Sequence, residues 1–355
     1  MAKNIALLFD GTWNEPSANK DPEVCTDTNV RRFHDSIRPA AEDGTPQVCW
    51  YNAGVGTEWM NKVRGGTFGN GLDDHIIEGY AKLLELYAPG DRIYLLGFSR
   101  GAYTARSLVG LVRMVGVLRS TGKATVHEAY DFYRSHDMGP NSRAAREFRA
   151  ANSIEVEIHF VGVWDTVGAL GIPLKLFKDF NAERYCFHDP KLSHIVRNAF
   201  HAMALDEHRG PYAVTMWGPK SPDDEAQRLE QVWFAGAHAD IGGGYVAQPL
   251  ANQPLRWMQR RAIECGLAVD VLPEAADPEA RRQEYLAPAH DSFAEFLNGR
   301  YAKIGERSYR PVGNAGDGAQ VLHPSLLARL LEIEQFRPVN NGLAAMLVRR
   351  TVSAD

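Results

Sequence analysis

Gly97-Phe98-Ser99-Arg100-Gly101 sets a serine between two glycines. The largely apolar run Arg92–Leu96 precedes it, and Ala102, Ala105, Leu108, Val109 and Val112 follow at helical spacing. Acyl transfer by serine needs a hydroxyl that is exposed, activated by a base and close to donors for an oxyanion. A tight turn from strand to helix supplies the exposure, and glycines on both sides leave room where side chains would clash. A helix starting at the serine directs its N-terminal N–H groups and dipole at developing negative charge. The five-residue pattern is weak by itself. The strand before it and the helix after it make Ser99 a candidate nucleophile rather than an ordinary turn serine.

The serine needs a base and the base needs an orienter. Where a strand–elbow–helix turn presents the nucleophile, the chain order is Ser, then Asp or Glu, then His, with the acid at the C-terminal end of a strand. Asp165 ends the apolar stretch Ile154–Trp164, which reads as a strand, and leads into Thr166-Val167-Gly168. Its alternative is a turn or helix-capping aspartate. Of the twelve histidines, His238 stands out because it follows the strand Gln231–Ala235 inside a glycine-rich turn. His201 and His208 read as lying in or near a helix, and His323 as a helix cap. Asp240 is the second candidate acid, or a residue that orients the histidine loop. The oxyanion donors are expected to be the N–H of Arg100 and one from the loop Gly11-Thr12, with Asp10 in support. A plain turn is the alternative for that loop. A phosphatase-like or metal-dependent reading with Asp10 as nucleophile lacks its downstream motifs.

These residues need elements to position them. Ile5–Phe9 is a continuous apolar run, as in a strand buried on both faces, and it breaks at Asp10-Gly11-Thr12. A helix is expected near Thr28–Ile37 with Thr28 or Asp27 as cap, a strand over Gln47–Asn52, and a helix over Leu72–Tyr87 ended by Pro89-Gly90. Further helices are expected over Val126–Ser135, Leu192–Leu205 and Pro324–Ile333, with a polar, proline-bearing stretch at Leu272–Pro288. Strands alternating with helices point to an α/β fold, a mostly parallel sheet flanked by helices with helical insertions forming a cap. Residues 1–355 are read as one domain, with 168–200 as a candidate lid or cap insertion and 250–355 as a helical C-terminal part packed on it. Leu170–Phe180 mixes apolar residues with Lys175 and Lys178, which suits a lid over acyl chains or a plain packing element.

Composition excludes more than it assigns. A formal net charge of −5 without a Lys/Arg run argues against nucleic-acid binding. Cys25, Cys49, Cys186 and Cys265 are far apart with no CxxC pair, so neither a disulfide framework nor a cysteine-built zinc site is expected. The N-terminal apolar run is too short for a signal peptide, and no stretch approaches the ~20 apolar residues of a membrane span. The expectation is a protein made in the cytoplasm; any export would use a route without a cleaved signal. Nothing in the sequence fixes an oligomeric state.

Four blocks carry a family likeness. They are Phe9-Asp10-Gly11-Thr12-Trp13-Asn14, Gly97-Phe98-Ser99-Arg100-Gly101-Ala102, Val163-Trp164-Asp165-Thr166-Val167-Gly168, and Gly236-Ala237-His238-Ala239-Asp240-Ile241-Gly242-Gly243-Gly244-Tyr245. In this order the set resembles the uncharacterised α/β-hydrolase domain family that includes phospholipase effectors of type VI secretion. The resemblance implies an α/β-hydrolase-like fold and a serine esterase or phospholipase A activity. Ser99, Asp165 and His238 match the family's serine, aspartate and histidine. The implied chemistry is hydrolysis of an ester or phospholipid through an acyl-enzyme on Ser99, with no metal or cofactor and with transient contact at a membrane surface. An esterase or thioesterase for small soluble substrates is the alternative enzyme. A non-catalytic module that keeps the fold for binding is the alternative class.

Overall fold

The computed structural model describes residues 2–11, 26–54, 70–135, 139–167, 191–219, 226–296, 299–314 and 319–352. Along the chain run β1 (Asn4–Phe9), α1 (Asn29–Asp35), β2 (Gln47–Asn52), α2 (Asn70–Leu86), β3 (Arg92–Phe98) and α3 (Arg100–Val115). Next come β4 (Val117–Leu118), α4 (Val126–Arg134), α5 (Arg143–Asn152), β5 (Ser153–Ile154), β6 (Ile158–Trp164) and β7 (Val196–Ala204). The rest is β8 (Arg228–Phe234), α6 (His238–Gly242), α7 (Pro249–Glu264), α8 (Pro278–Leu286), α9 (Ser292–Glu295), β9 (Gln320–Leu322), α10 (Pro324–Glu332) and α11 (Leu343–Val352).

Seven strands form one sheet in the order β2-β1-β3-β6-β7-β8-β9, and every adjacent pair is parallel. The short β4 and β5 pair antiparallel apart from it. Strand alternation divides the core. Ile5, Leu7, Phe9, Ile93, Leu95, Val161 and Val163 face a cluster completed by α2, α3 and α4. Ala6, Leu8, Leu96, Phe98, Phe160, Trp164 and Phe200 face the opposite cluster, where Val30 and Phe33 of α1 meet Leu255 and Met258 of α7. Met203 and Trp233 alternate against these neighbours and pack with Leu322, Leu326 and Leu343 from the C-terminal segment. Helices on both faces of a parallel sheet make this an α/β-hydrolase-like fold.

Because the strands run parallel, the loops after β1, β3, β6, β7 and β8 leave from one edge. The chain goes from β1 to β2 on one side and returns to β3 on the other. Such a reversal opens a crevice at the strands' carboxyl ends.

Several expectations need correction. Residues 192–205 hold no helix: Val196–Ala204 is β7, inside the sheet. A run buried on both faces does not show strand alternation, so periodicity cannot separate it from a buried helix. The candidate lid range 168–200 therefore runs into the sheet at Val196, and its part 168–190, including Leu170–Phe180, lies outside the described residues. The strand expected over Ile154–Trp164 is two: Ser153–Ile154 pairs with β4, and β6 begins at Ile158. The C-terminal part is not wholly helical, since β9 joins the sheet edge beside β8. It also holds α8 within Leu272–Pro288 and α11 after α10.

The crossing of α3 over β1 depends on two glycines. A Cβ on Gly101 would lie 2.1 Å from Phe9 O, and one on Gly97 would lie 2.4 Å from Gly101 O. Both neighbours are backbone, which cannot give way locally. Gly101→Ala should therefore destabilise the protein by about 1–3 kcal/mol, as overpacking does elsewhere. Urea denaturation reads this directly; an unchanged midpoint would contradict the close approach.

Candidate active site

Ser99 is the residue between β3 and α3. Its backbone has φ 58° and ψ −120°, a left-handed conformation that costs a residue with a side chain about 1–3 kcal/mol. The turn is held from both directions. Ser99 N–H donates to Trp164 O of β6 at 3.1 Å, and Ser99 O accepts from Tyr103 N at 3.2 Å. The side chain is thereby aimed across the strand ends and not along the helix.

There it meets His238. Ser99 Oγ lies 2.8 Å from His238 Nε2, and His238 Nδ1 lies 2.6 Å from Asp165 Oδ2. The three residues come from the ends of β3, β8 and β6, and they form one continuous hydrogen-bonded line. His238 opens α6, with the rings of Phe98 and Tyr212 at 4.6 and 5.3 Å. Burial pushes the imidazole below its ordinary range, against the pull of the Asp165 carboxylate. A neutral imidazole with Nδ1–H donated to a carboxylate has Nε2 left to accept a proton from the serine.

Asp165 has 0% exposure and a positive φ of 40°. Its N–H donates to Ala202 O at 2.7 Å, and its Oδ1 accepts from Ala204 N at 2.9 Å. Burial would raise its pKa. The Arg310 guanidinium and His238 more than offset this and hold the carboxyl well below the usual range. Arg310 Nη1 donates to Oδ1 at 2.6 Å and Nη2 to Oδ2 at 3.0 Å. The same guanidinium donates to Ala204 O at 2.7 Å and Tyr212 O at 2.5 Å.

A second layer fixes the histidine loop. Glu207, buried after the end of β7, accepts from His238 N at 3.3 Å and from Ser292 Oγ at 2.9 Å. It is paired in two-point fashion with Arg209, whose guanidinium lies over the Tyr212 ring at 3.6 Å. Asp206 accepts from Gly236 N at 2.7 Å, and burial pushes its carboxyl up to about 6.

The remaining sequence candidates fall into place around this core. Asp240 is not the acid: its oxygens take Ala237 N at 2.9 Å and His290 Nδ1 at 2.7 Å, so it orients the loop. His201 is buried in β7 and not on a helix. Its Nε2 accepts from Thr166 N at 3.0 Å, and burial lowers its pKa to about 3, so it stays neutral. His208 meets Ser308 O at 3.0 Å, and His323 caps α10. Gly11 does not offer the expected oxyanion donor, because its N–H is spent on Asp10 Oδ1 at 2.6 Å. Asp10 Oδ2 accepts from Thr28 Oγ1 at 2.5 Å and Tyr51 OH at 2.6 Å, which ties it to the loop as a support. Thr12 lies outside the described residues. Arg100 opens α3, so its N–H points out of the helix N-terminus beside Ser99.

Sequence reasoning missed Arg310, Glu207 and Arg209. Arg310 is 145 residues beyond the carboxylate that it clamps, in a loop without a local signature. Glu207 had a signal, an acidic pair one residue past the end of a strand at the site's edge, but reading β7 as a helix hid it.

Residues 3–261 match the family described as the type VI secretion Tle1-like phospholipase effector, catalytic domain. An uncharacterized protein of Saccharomyces cerevisiae is 32% identical over 241 residues, covering 61% of this chain and 33% of that protein. An uncharacterized protein from Pseudomonas aeruginosa aligns at 16% identity and TM-score 0.44, over 86% of this chain and 51% of the other. The Tle1 effector, solved bound to the VgrG spike of the type 6 secretion system, aligns at 18% identity and TM-score 0.39, over 69% of this chain and 51% of the other. The chain thus spans a third of the curated relative that it matches and about half of each solved chain. By the match across residues 3–261, the chain belongs to the Tle1-like catalytic domains of type VI secretion phospholipase effectors.

Proposed function

We propose that this chain is a serine carboxylester hydrolase that cleaves phospholipids through an acyl-enzyme on Ser99. The observation that carries this reading is the line Ser99 Oγ–His238 Nε2–His238 Nδ1–Asp165 Oδ2 at 2.8 and 2.6 Å, set on a strained elbow. The lipid as substrate rests on the family to which the chain belongs.

In the first half-reaction His238 Nε2 takes the Ser99 proton as Oγ bonds to the ester carbonyl carbon. The oxyanion that forms is met by the N–H of Arg100 and the N-terminus of α3. Collapse breaks the bond to the alcohol, which leaves with the proton from His238. Water then attacks the acyl-enzyme, giving a proton to His238, and collapse breaks the bond to Ser99 Oγ, which takes that proton back from His238 as the fatty acid leaves. Asp165 holds Nδ1–H throughout and stabilises the imidazolium. The scheme calls for no metal or cofactor. Contact with the bilayer surface is proposed to be transient; no helix among the described residues is long and apolar enough to cross a membrane.

Wild type should release fatty acid from phosphatidylcholine–phosphatidylglycerol vesicles, and Ser99→Ala should lower the rate by about 10⁴-fold or more. Equal rates in the two proteins would remove the nucleophile. A wild type that hydrolyses short p-nitrophenyl esters faster than long ones, with no gain above the micellar threshold, would replace the lipid by a small soluble ester or thioester. A folded protein inert toward all of these would be a binding module.

The pH dependence has a definite sign. Activity needs His238 as free base, and its pKa is lowered. The acid limb of kcat/KM should therefore have its midpoint below the ordinary imidazole value of about 6.5. A rate profile on a soluble ester with the midpoint above that value would contradict the buried, neutral imidazole.

A further inference from the structure

Arg310 lies beyond the residues 3–261 that match the family, yet its guanidinium lies against the carboxylate at the centre of the site. Its side chain is 5% exposed and that of Asp165 is 0% exposed, so the pair is desolvated. The two N–H···O contacts are parallel, one to each carboxylate oxygen, which fixes both the position and the rotation of the carboxyl plane. Oδ2 is the oxygen that His238 Nδ1 also meets. The guanidinium is in turn anchored to Ala204 O at the end of β7 and to Tyr212 O. Asn340 staples the Arg310 backbone, donating from Nδ2 to Arg310 O at 2.9 Å and to Leu205 O at 3.2 Å. Val312 N–H donates to Asn341 O at 2.8 Å, so the segment is tied again two residues on.

We infer that Arg310 is a positioning residue of the active site, which acts through Asp165 to aim its carboxylate at His238 and to keep His238 in the free-base form. This rests on the reading of Ser99, His238 and Asp165 as a hydrolytic site. The aiming follows from the two-point contact. The choice of protonation state follows from counting charge. With Arg310 cationic, Asp165 anionic and His238 neutral, the buried group of three is formally neutral, and protonating His238 makes it cationic. Without Arg310 the order reverses: a neutral His238 leaves a buried anion, and protonation cancels it. Burial penalises net charge, so the arginine favours the form of histidine that can accept a proton from Ser99.

Other ionisable groups face this cluster. Glu207 is paired with Arg209, Asp240 with His290, Asp206 feels Arg329, and His201, bonded to Thr166 N, feels both Asp165 and Arg106. Their side chains are unchanged in a variant at position 310, and Arg310 acts on Asp206, Glu207 and His201 as well as on Asp165. A difference between the two profiles therefore reports Arg310.

The experiment compares wild type, Ser99→Ala, Arg310→Gln and Arg310→Lys for hydrolysis of p-nitrophenyl butyrate across pH, with thermal melts to establish folding. Arg310→Gln should lose about tenfold or more of the plateau kcat/KM, and its acid limb should move to higher pH by about half a unit or more. Arg310→Lys keeps the charge but not the fork; its limb should stay near that of wild type while the plateau falls. A folded Arg310→Gln protein with the plateau and limb of wild type overturns the inference. If Arg310→Gln does not fold, Arg310→Lys decides, since a lysine variant with the plateau of wild type removes the need for two-point aiming. Hydrolysis that persists in Ser99→Ala refutes the reading of the site itself, whatever the Arg310 variants do.

Discussion

A carboxylate with no solvent exposure is stable only where its charge and lone pairs are met, and at Asp165 both are met from several directions at once. Arg310 supplies the counter-charge, Ala204 N a main-chain donor, and His238 Nδ1 the remaining contact. None of these partners is local to β6. They come from β7, from the loop after β8 and from the segment before β9, so the ion becomes a meeting point for parts of the chain far apart in sequence. Removing any one partner leaves charge or lone pairs uncompensated in a dry environment. The C-terminal segment, which also packs Leu322, Leu326 and Leu343 onto Met203 and Trp233, is thus part of the site's foundation.

The parallel sheet makes this convergence possible. Every strand delivers its following loop to the same edge, so β3, β6 and β8 can contribute one side chain each without long excursions. The reversal at β1 places Asp10 and Gly11 under the elbow, where the absence of a Cβ on Gly101 lets α3 sit on the backbone of Phe9. Strain is confined to the two non-glycine residues with positive φ among those described, Ser99 and Asp165. Both belong to the hydrogen-bonded line, and both are held by main-chain bonds to neighbouring strands. Stored strain of this kind persists only where the surroundings over-determine the backbone.

What the sequence reveals of this arrangement follows from how local each signal is. β1, β3 and α3 are legible because apolar runs, helical spacing and flanking glycines lie within a few residues of one another. Ser99, Asp165 and His238 are legible because each follows such an element in a fixed order. β7 is not, since Ala199–Leu205 is buried toward both faces, apolar apart from His201, and offers no period to choose strand over helix. That one ambiguity hides Glu207 and puts His201 on the wrong element. Arg310 has no local pattern at all; only the fold brings it to Asp165. Gly11 illustrates a third limit: a loop can be located correctly while the direction of its N–H, here to Asp10, depends on side-chain packing.

We propose that the fold presents Ser99 as an activated nucleophile. The most direct test of this is treatment of the folded protein with a fluorophosphonate probe, followed by mass spectrometry of the intact chain and its peptides. A single covalent adduct is expected, mapped to Ser99 and absent when the protein is denatured before labelling. A folded protein that takes up no probe, or takes it up at a residue other than Ser99, would contradict it.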